Sequence, residues 1–85
     1  MELTTATWTV ELKLSERDGM TYAEARLHTG LSAPLIGVGT ARLYPYDHLD
    51  VAEVGYELAA ARALTHLGEV LLATARLDVD ALNAP

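Results

Sequence analysis

Residues 35–43 read LIGVGTARL, and this stretch decides the fold because its glycine pair fits two different structures. A dinucleotide-binding loop needs a third glycine and leads directly into a helix, and neither feature is present here. No lysine follows Lys13, which also excludes the lysine-containing phosphate loop. The alternation therefore predicts a strand in which Gly37 and Gly39 share one face and admit the backbone of a crossing helix.

Two more strands precede this one. Residues 7–14 alternate between apolar and polar side chains, and this pattern places Trp8 in the core. Residues 20–28 alternate in the same way, and the intervening SERDG at 15–19 ends in the Asp-Gly pair typical of hairpins. Residues 29–34 have the composition of a short loop. Three strands joined by short loops predict an antiparallel meander.

A helix follows the sheet. Asp50 is a predicted N-cap, and Glu53 completes a capping box. From Val51 the apolar period changes to 3.6 residues and predicts a helix of about 25 residues. Gly68 lies inside it and indicates close packing or a bend. The predicted core-facing stripe consists of Val54, Leu58, Ala61, Leu64, Leu67, Leu71 and Ala75.

The sequence thus predicts one α+β domain over residues 1–85, with order β-β-β-α. The segment DVDALNAP at the end predicts a short extra C-terminal helix capped by Asp78. A helix of about 25 residues is roughly 37 Å long and overhangs strands of roughly 27 Å. The overhanging stripe must bend at Gly68, be covered by the C-terminal tail, or meet a partner.

Composition excludes several classes of function. The 85 residues contain no cysteine, which rules out disulfides and thiolate metal sites. The three histidines have no metal-ligand spacing, and no serine lies in a nucleophile motif. We therefore expect no enzyme, no catalytic residue, no metal and no cofactor. The N-terminus does not resemble a signal peptide and no apolar run is long enough for a membrane span, so we expect a cytoplasmic protein.

The net charge of −6 opposes non-specific binding to nucleic acid unless the basic residues share a face. Alternation places Lys13, Arg26 and Arg42 together on the face of the sheet opposite the glycines, as candidates for phosphate contact. The alternative is that these cations form solvated cross-strand pairs with neighbouring acids, as Arg26 would with Glu11.

The third strand is an edge of the predicted meander, and only Pro34 and Arg42 protect it. The high apolar fraction of 51% also hints at an intermolecular core. We therefore predict a homodimer whose interface includes Ile36, Val38 and Thr40.

The motifs GVGTARLYP, from Gly37, and EVGYELAAARALTHL, up to Leu67, resemble a small actinobacterial family of uncharacterised proteins with a dsRBD-like fold. WTVELKL and DGMTYAEARL also fit, so the resemblance covers nearly the whole chain. It implies a fold related to double-stranded-RNA-binding domains and a homodimer. Some members are dormancy-associated and similar to ribosome hibernation-promoting factors, which implies a stress-response role in ribosome association and translational repression.

Two functions remain open at this point. The first is a ribosome- or RNA-associated stress factor, which the resemblance and the shared face of the three cations favour. The second is a dimeric protein-interaction or regulatory module with no nucleic-acid role, which the acidic charge and the overhanging apolar helix favour.

Overall fold

The computed structural model of the chain describes residues 2–42 and 51–84. Three strands, β1 (Thr9–Arg17), β2 (Met20–His28) and β3 (Leu35–Arg42), form an antiparallel sheet in the order β1-β2-β3. One long helix, α1 (Val51–Asn83), packs on one face of this sheet. The predicted α+β architecture is therefore confirmed.

The C-terminal part of the prediction was wrong. Residues 78–83 continue α1 and form no separate helix, so α1 is 33 residues long. No glycine or proline lies between Gly68 and Pro85, so nothing in this stretch breaks the helix. Residues 75–84 are all exposed, so the predicted overhang is present and extends further than expected.

The β1–β2 hairpin is tighter than the sequence suggested. Residues 15–17 were predicted as turn but belong to β1, where Arg17 pairs with Met20 across the ladder. The turn consists of Asp18 and Gly19 alone, and both have positive φ angles, 53° and 75°. Positive φ at both central residues defines the two-residue turn whose twist matches that of the flanking strands. Pairing therefore continues to the tip of the hairpin.

The helix lies directly on the backbone of β3. A Cβ added to Gly37 would overlap the backbone of Ala63 and Leu67, and one added to Gly39 would overlap the backbone of Ala59 and Ala63. Both glycines thus face α1, on the side that the alternation predicts. The rest of the core is also made mainly of small side chains, namely Thr21, Ala23, Ala25, Leu27 and Ala41.

The predicted core-facing stripe of the helix is largely wrong. Among residues 53–83 of α1, the buried ones are Gly55, Ala59, Ala63 and Leu67, at a spacing of four. Larger side chains do not fit where the helix backbone touches glycine, so the small residues turn inward. Five members of the predicted stripe are exposed instead: Val54, Leu58, Ala61, Leu64 and Ala75.

The helix covers only part of the sheet. It packs on β3 and β2 and barely reaches β1, all of whose residues are exposed. Trp8 precedes β1 and is 51% exposed, so its predicted core position was wrong. The register pairs Val10, Leu12 and Leu14 with residues of β2 that face the helix, namely Leu27, Ala25 and Ala23, so these three side chains lie on the helix-bearing face. We call Trp8, Val10, Leu12 and Leu14 the β1 apolar row.

The outer edge of β3 is protected by the helix. The His66 imidazole Nδ1 accepts a hydrogen bond of 2.8 Å from the Val38 N–H. The Arg62 guanidinium donates one of 2.7 Å to the Thr40 carbonyl. Both side chains extend from α1 to the edge of β3 and hydrogen-bond backbone groups that another strand would otherwise pair with.

Two further predictions stand as follows. The cap at Asp50 lies outside the described residues. A Cβ on Gly68 would meet no atom within 4 Å, so packing within this chain does not explain that glycine.

Among the described residues, no helix is long and apolar enough to cross a membrane.

We predict that Gly37→Ala lowers the free energy of unfolding by about 3 kcal/mol, because the added methyl group overlaps helix backbone that cannot rotate away. Urea unfolding measures this change. Val38→Ile is the matched control: it adds one carbon on the face of the same strand that points away from α1, where Val38 is 54% exposed, and should change stability by less than about 0.5 kcal/mol. Equal effects of the two variants would contradict this packing.

We predict that His66→Ala speeds hydrogen exchange of the Val38 amide about tenfold relative to the amides of β2, because that N–H loses its acceptor. NMR-detected exchange measures this ratio. His28→Ala is the control, since the His28 imidazole makes no hydrogen bond with the described residues. Unchanged exchange at Val38 in His66→Ala would disprove the edge contact.

Candidate nucleic-acid interface on the outer face of the sheet

The face of the sheet opposite α1, here called the outer face, collects cationic side chains. Lys13, Arg26 and Arg42 alternate with residues that face the helix, so the register brings all three to this face. Arg17 joins them because β1 extends to the hairpin turn. Arg17 is not among the predicted cations because SERDG has the composition of a turn, although alternation continued from Thr9 places Arg17 on the outer face.

Charge is distributed unequally over the molecule. The outer face of the three strands carries four of the six Lys and Arg residues of the chain. Among the described residues, two acids, Glu11 and Glu24, stand on the same face of the three strands. An acidic protein therefore presents one face with an excess of positive charge.

Ion pairs divide the outer face into two ends. Near its middle, the Arg26 guanidinium hydrogen-bonds the Glu24 carboxylate, and Glu11 is the cross-strand neighbour of Arg26. Lys13 is the cross-strand neighbour of Glu24 but forms no ion pair with it, and Arg42, nearer the hairpin, has no ion-pair partner among residues 2–42 and 51–84. Arg17 lies 3.8 Å from the Asp18 carboxylate, but both side chains are almost fully exposed, so the pair holds Arg17 weakly. The cations at the hairpin end are thus less engaged in ion pairs than Arg26 is.

Tyr22 stands between these cations. It is 48% exposed, and the ladder places it between Ser15 on β1 and Thr40 on β3. The next row towards the turn carries Arg17 and Arg42 on either side of Met20. An open depression of about 300 Å³ lies around Tyr22, beside that row, and is lined by Lys13, Ser15, Tyr22, Glu24, Val38 and Thr40 among others.

This arrangement suits a phosphate-bearing, planar ligand. Lysine and arginine contact phosphates, an exposed tyrosine ring stacks on a base, and the hydroxyls of Ser15 and Thr40 add hydrogen-bonding groups. Within the described part of the chain, no cluster of His, Asp or Glu is placed to hold a metal ion.

The residues predicted for a dimer interface also lie on this face. Ile36, Val38 and Thr40 alternate with the two glycines and point away from α1. The backbone edge beside them is engaged by Arg62 and His66. Contact of these three side chains with a second subunit stays a prediction.

Comparisons with known proteins agree with this fold. The chain is 44% identical over 76 residues to "Uncharacterized protein Mb1767" of Mycobacterium bovis, an alignment that covers 89% of this chain and 79% of that protein. It is 42% identical over 72 residues to "Uncharacterized protein Rv2632c" of Mycobacterium tuberculosis, covering 85% of this chain and 75% of the relative.

The crystal structure of Rv2632c superposes with a TM-score of 0.88 at 38% sequence identity, covering 100% of this chain and 99% of the other. The sequence pattern of the Rv2632c-like family matches residues 6–85. A match over nearly the whole chain, at these identities and with the same fold, shows that the chain belongs to the Rv2632c-like family.

Proposed function

We propose that this protein is a non-enzymatic RNA-binding protein that contacts its target through the outer face of the sheet. One observation carries the proposal: an otherwise acidic chain places four of its six cations on one face, around an exposed aromatic ring. Segregation of this kind creates a local attraction for phosphate although the molecule as a whole is negative.

The ligand we propose is single-stranded RNA. An exposed ring on a sheet stacks on an unpaired base, and neighbouring lysine and arginine side chains contact the flanking phosphates. Tyr22 supplies the ring, and Arg17, Arg42 and Lys13 supply the cations. The acidic residues elsewhere repel the backbone, so the strand approaches the outer face alone.

The resemblance to dsRBD-like and hibernation-factor proteins suggests ribosomal RNA as the physiological target, in a stress or dormancy role acting on translation. This finer part of the proposal has its own test. The protein should co-sediment with ribosomes, most strongly at low salt, because phosphate contacts are strongest there. Absence from the ribosome pellet at low salt would reject the ribosome while leaving RNA binding to be measured separately.

We predict that the double variant Arg17→Gln/Arg42→Gln binds a fluorescent single-stranded RNA more weakly than the wild type. The slope of log affinity against log salt should become shallower by about 1.4, because each single-strand phosphate contact contributes about 0.7. Fluorescence anisotropy across a salt series measures both quantities.

Arg76→Gln is the control for these variants. It removes a positive charge from the exposed part of α1, away from the sheet, and should leave the salt slope unchanged. An equal loss of binding in Arg76→Gln would mean that net charge alone governs the affinity. Absence of wild-type binding at low salt would reject the proposed function.

We predict that Tyr22→Ala weakens single-stranded RNA binding about tenfold or more, since one base–aromatic stack contributes about 1–3 kcal/mol. Tyr22→Phe keeps the ring and should retain the affinity. The same anisotropy assay measures both variants. Equal weakening by the two substitutions would assign the role of Tyr22 to its hydroxyl rather than to stacking.

A second candidate function is a protein-interaction or regulatory module without nucleic acid. The exposed β1 apolar row favours it, because contiguous apolar surface on a soluble domain marks interaction sites. Recovery of a specific protein partner, with no binding of RNA at low salt, would support this function over the first.

A further inference from the structure

The sheet is only partly covered on its helix-bearing face. Three strands at about 4.8 Å spacing form a surface that is wider than a helix of about 10 Å diameter. Because α1 lies over β3 and β2, the β1 apolar row remains open beside it. Glu16 follows this row at the hairpin end and bounds it with charge.

The helix carries apolar surface on a second side. Between residues 58 and 75, its only charged or imidazole-bearing residues are Arg62, His66 and Glu69. Their spacing of four and three places them on one flank, and two of them hold the β3 edge. The remaining circumference is uncharged, although the sheet covers only one part of it. Three leucines on it are about half exposed, and we call Leu58, Leu64 and Leu72 the exposed helix leucines.

The chain exposes far more surface than a compact monomer. Its accessible surface is 6879 Å², whereas a folded monomer of 9.2 kDa exposes about 4,900 Å². Its radius of gyration is 17.1 Å, against about 12 Å for a compact domain of this length. The exposed overhang at residues 75–84 supplies part of this excess of about 2,000 Å², and a stable protein complex buries roughly 800 Å² of each partner.

We infer that two copies of the chain pack face to face about a two-fold axis, with their two helices side by side in one middle layer between the two sheets. Each helix then fills the open part of the partner's sheet. The β1 apolar row of one copy packs against the exposed helix leucines of the other, and the reverse contact follows from symmetry.

A second copy is the occupant because this chain carries both halves of the contact. The gap over β1 lies beside one helix and is bounded by one strand, so a single neighbouring helix at the usual 8–10 Å separation fits it. The chain's own helix has the uncharged outer surface that such a position requires. A reciprocal arrangement covers both surfaces at once and closes, so it leads to a dimer and not to a fibre.

This inference does not depend on RNA binding. The two sheets lie outside the helix layer, so both outer faces stay free in the dimer. The interface also differs from the one predicted at Ile36, Val38 and Thr40, and the experiment separates the two.

The test is sedimentation equilibrium of the full chain over micromolar concentrations, with circular dichroism to verify folding. The wild type should be a dimer. Leu12→Glu and Leu72→Glu each place a charge in the proposed interface and should raise the dimer dissociation constant about 30-fold or more. Val38→Glu is the matched control: Val38 is about as exposed as Leu72 but lies on the outer face, so the dimer should persist.

An isotope-filtered NOE experiment on a mixed labelled and unlabelled wild-type dimer gives a second readout that no variant can compromise. Contacts are expected between the methyl groups of Val10, Leu12 or Leu14 and those of Leu58 or Leu72 in the other copy. A wild-type monomer throughout the micromolar range would overturn the inference. Loss of the dimer in Val38→Glu alone, or intermolecular contacts confined to Ile36 and Val38, would overturn it as well.

Discussion

The direct contact between the α1 backbone and the two glycines of β3 is the constraint on which the rest of the structure depends. A helix that touches Gly37 and Gly39 must present small residues, and Ala59 and Ala63 meet that need. The same contact draws the helix towards the β3 edge, where Arg62 reaches the strand backbone. Since one helix cannot cover three strands from that position, β1 remains open.

A core built this way buries little apolar area for its length. Alanine and glycine remove less surface from water than leucine does. The contact therefore determines where the helix lies but contributes little hydrophobic free energy. Leu27 and Leu67 are the large side chains of this core, whereas those of the β1 apolar row lie outside it. Shape fixes the position of the helix, while the β1 apolar row remains available to a partner.

The sequence predicted the sheet better than the helix packing, and the reason is physical. Strand alternation has a period of two, so one correctly placed residue fixes the face of every other, which is why Lys13, Arg26 and Arg42 were placed together. The core-facing side of the helix could not be predicted from its apolar residues in the same way, because α1 is apolar on two sides. Counting large apolar residues selected Leu58 and Leu64, whereas contact with glycine selects the smallest ones. Arg17 was assigned to the turn and so was not predicted on the outer face. The hydrogen bond between His66 and the β3 backbone could not be predicted, because it produces no periodic pattern in the sequence.

The two faces of the sheet carry different kinds of side chain on the same strands. On β1, Val10, Leu12 and Leu14 face the helix layer, while the alternating positions include Lys13 and Arg17. If the apolar row is covered by a second copy, the outer faces of the dimer point in opposite directions, and each keeps its own cations and tyrosine. A ligand that bridges both faces must then wrap around the assembly, and a short strand occupies one face at a time. The offset of the helix on β3 thus separates self-association from ligand contact within one small domain.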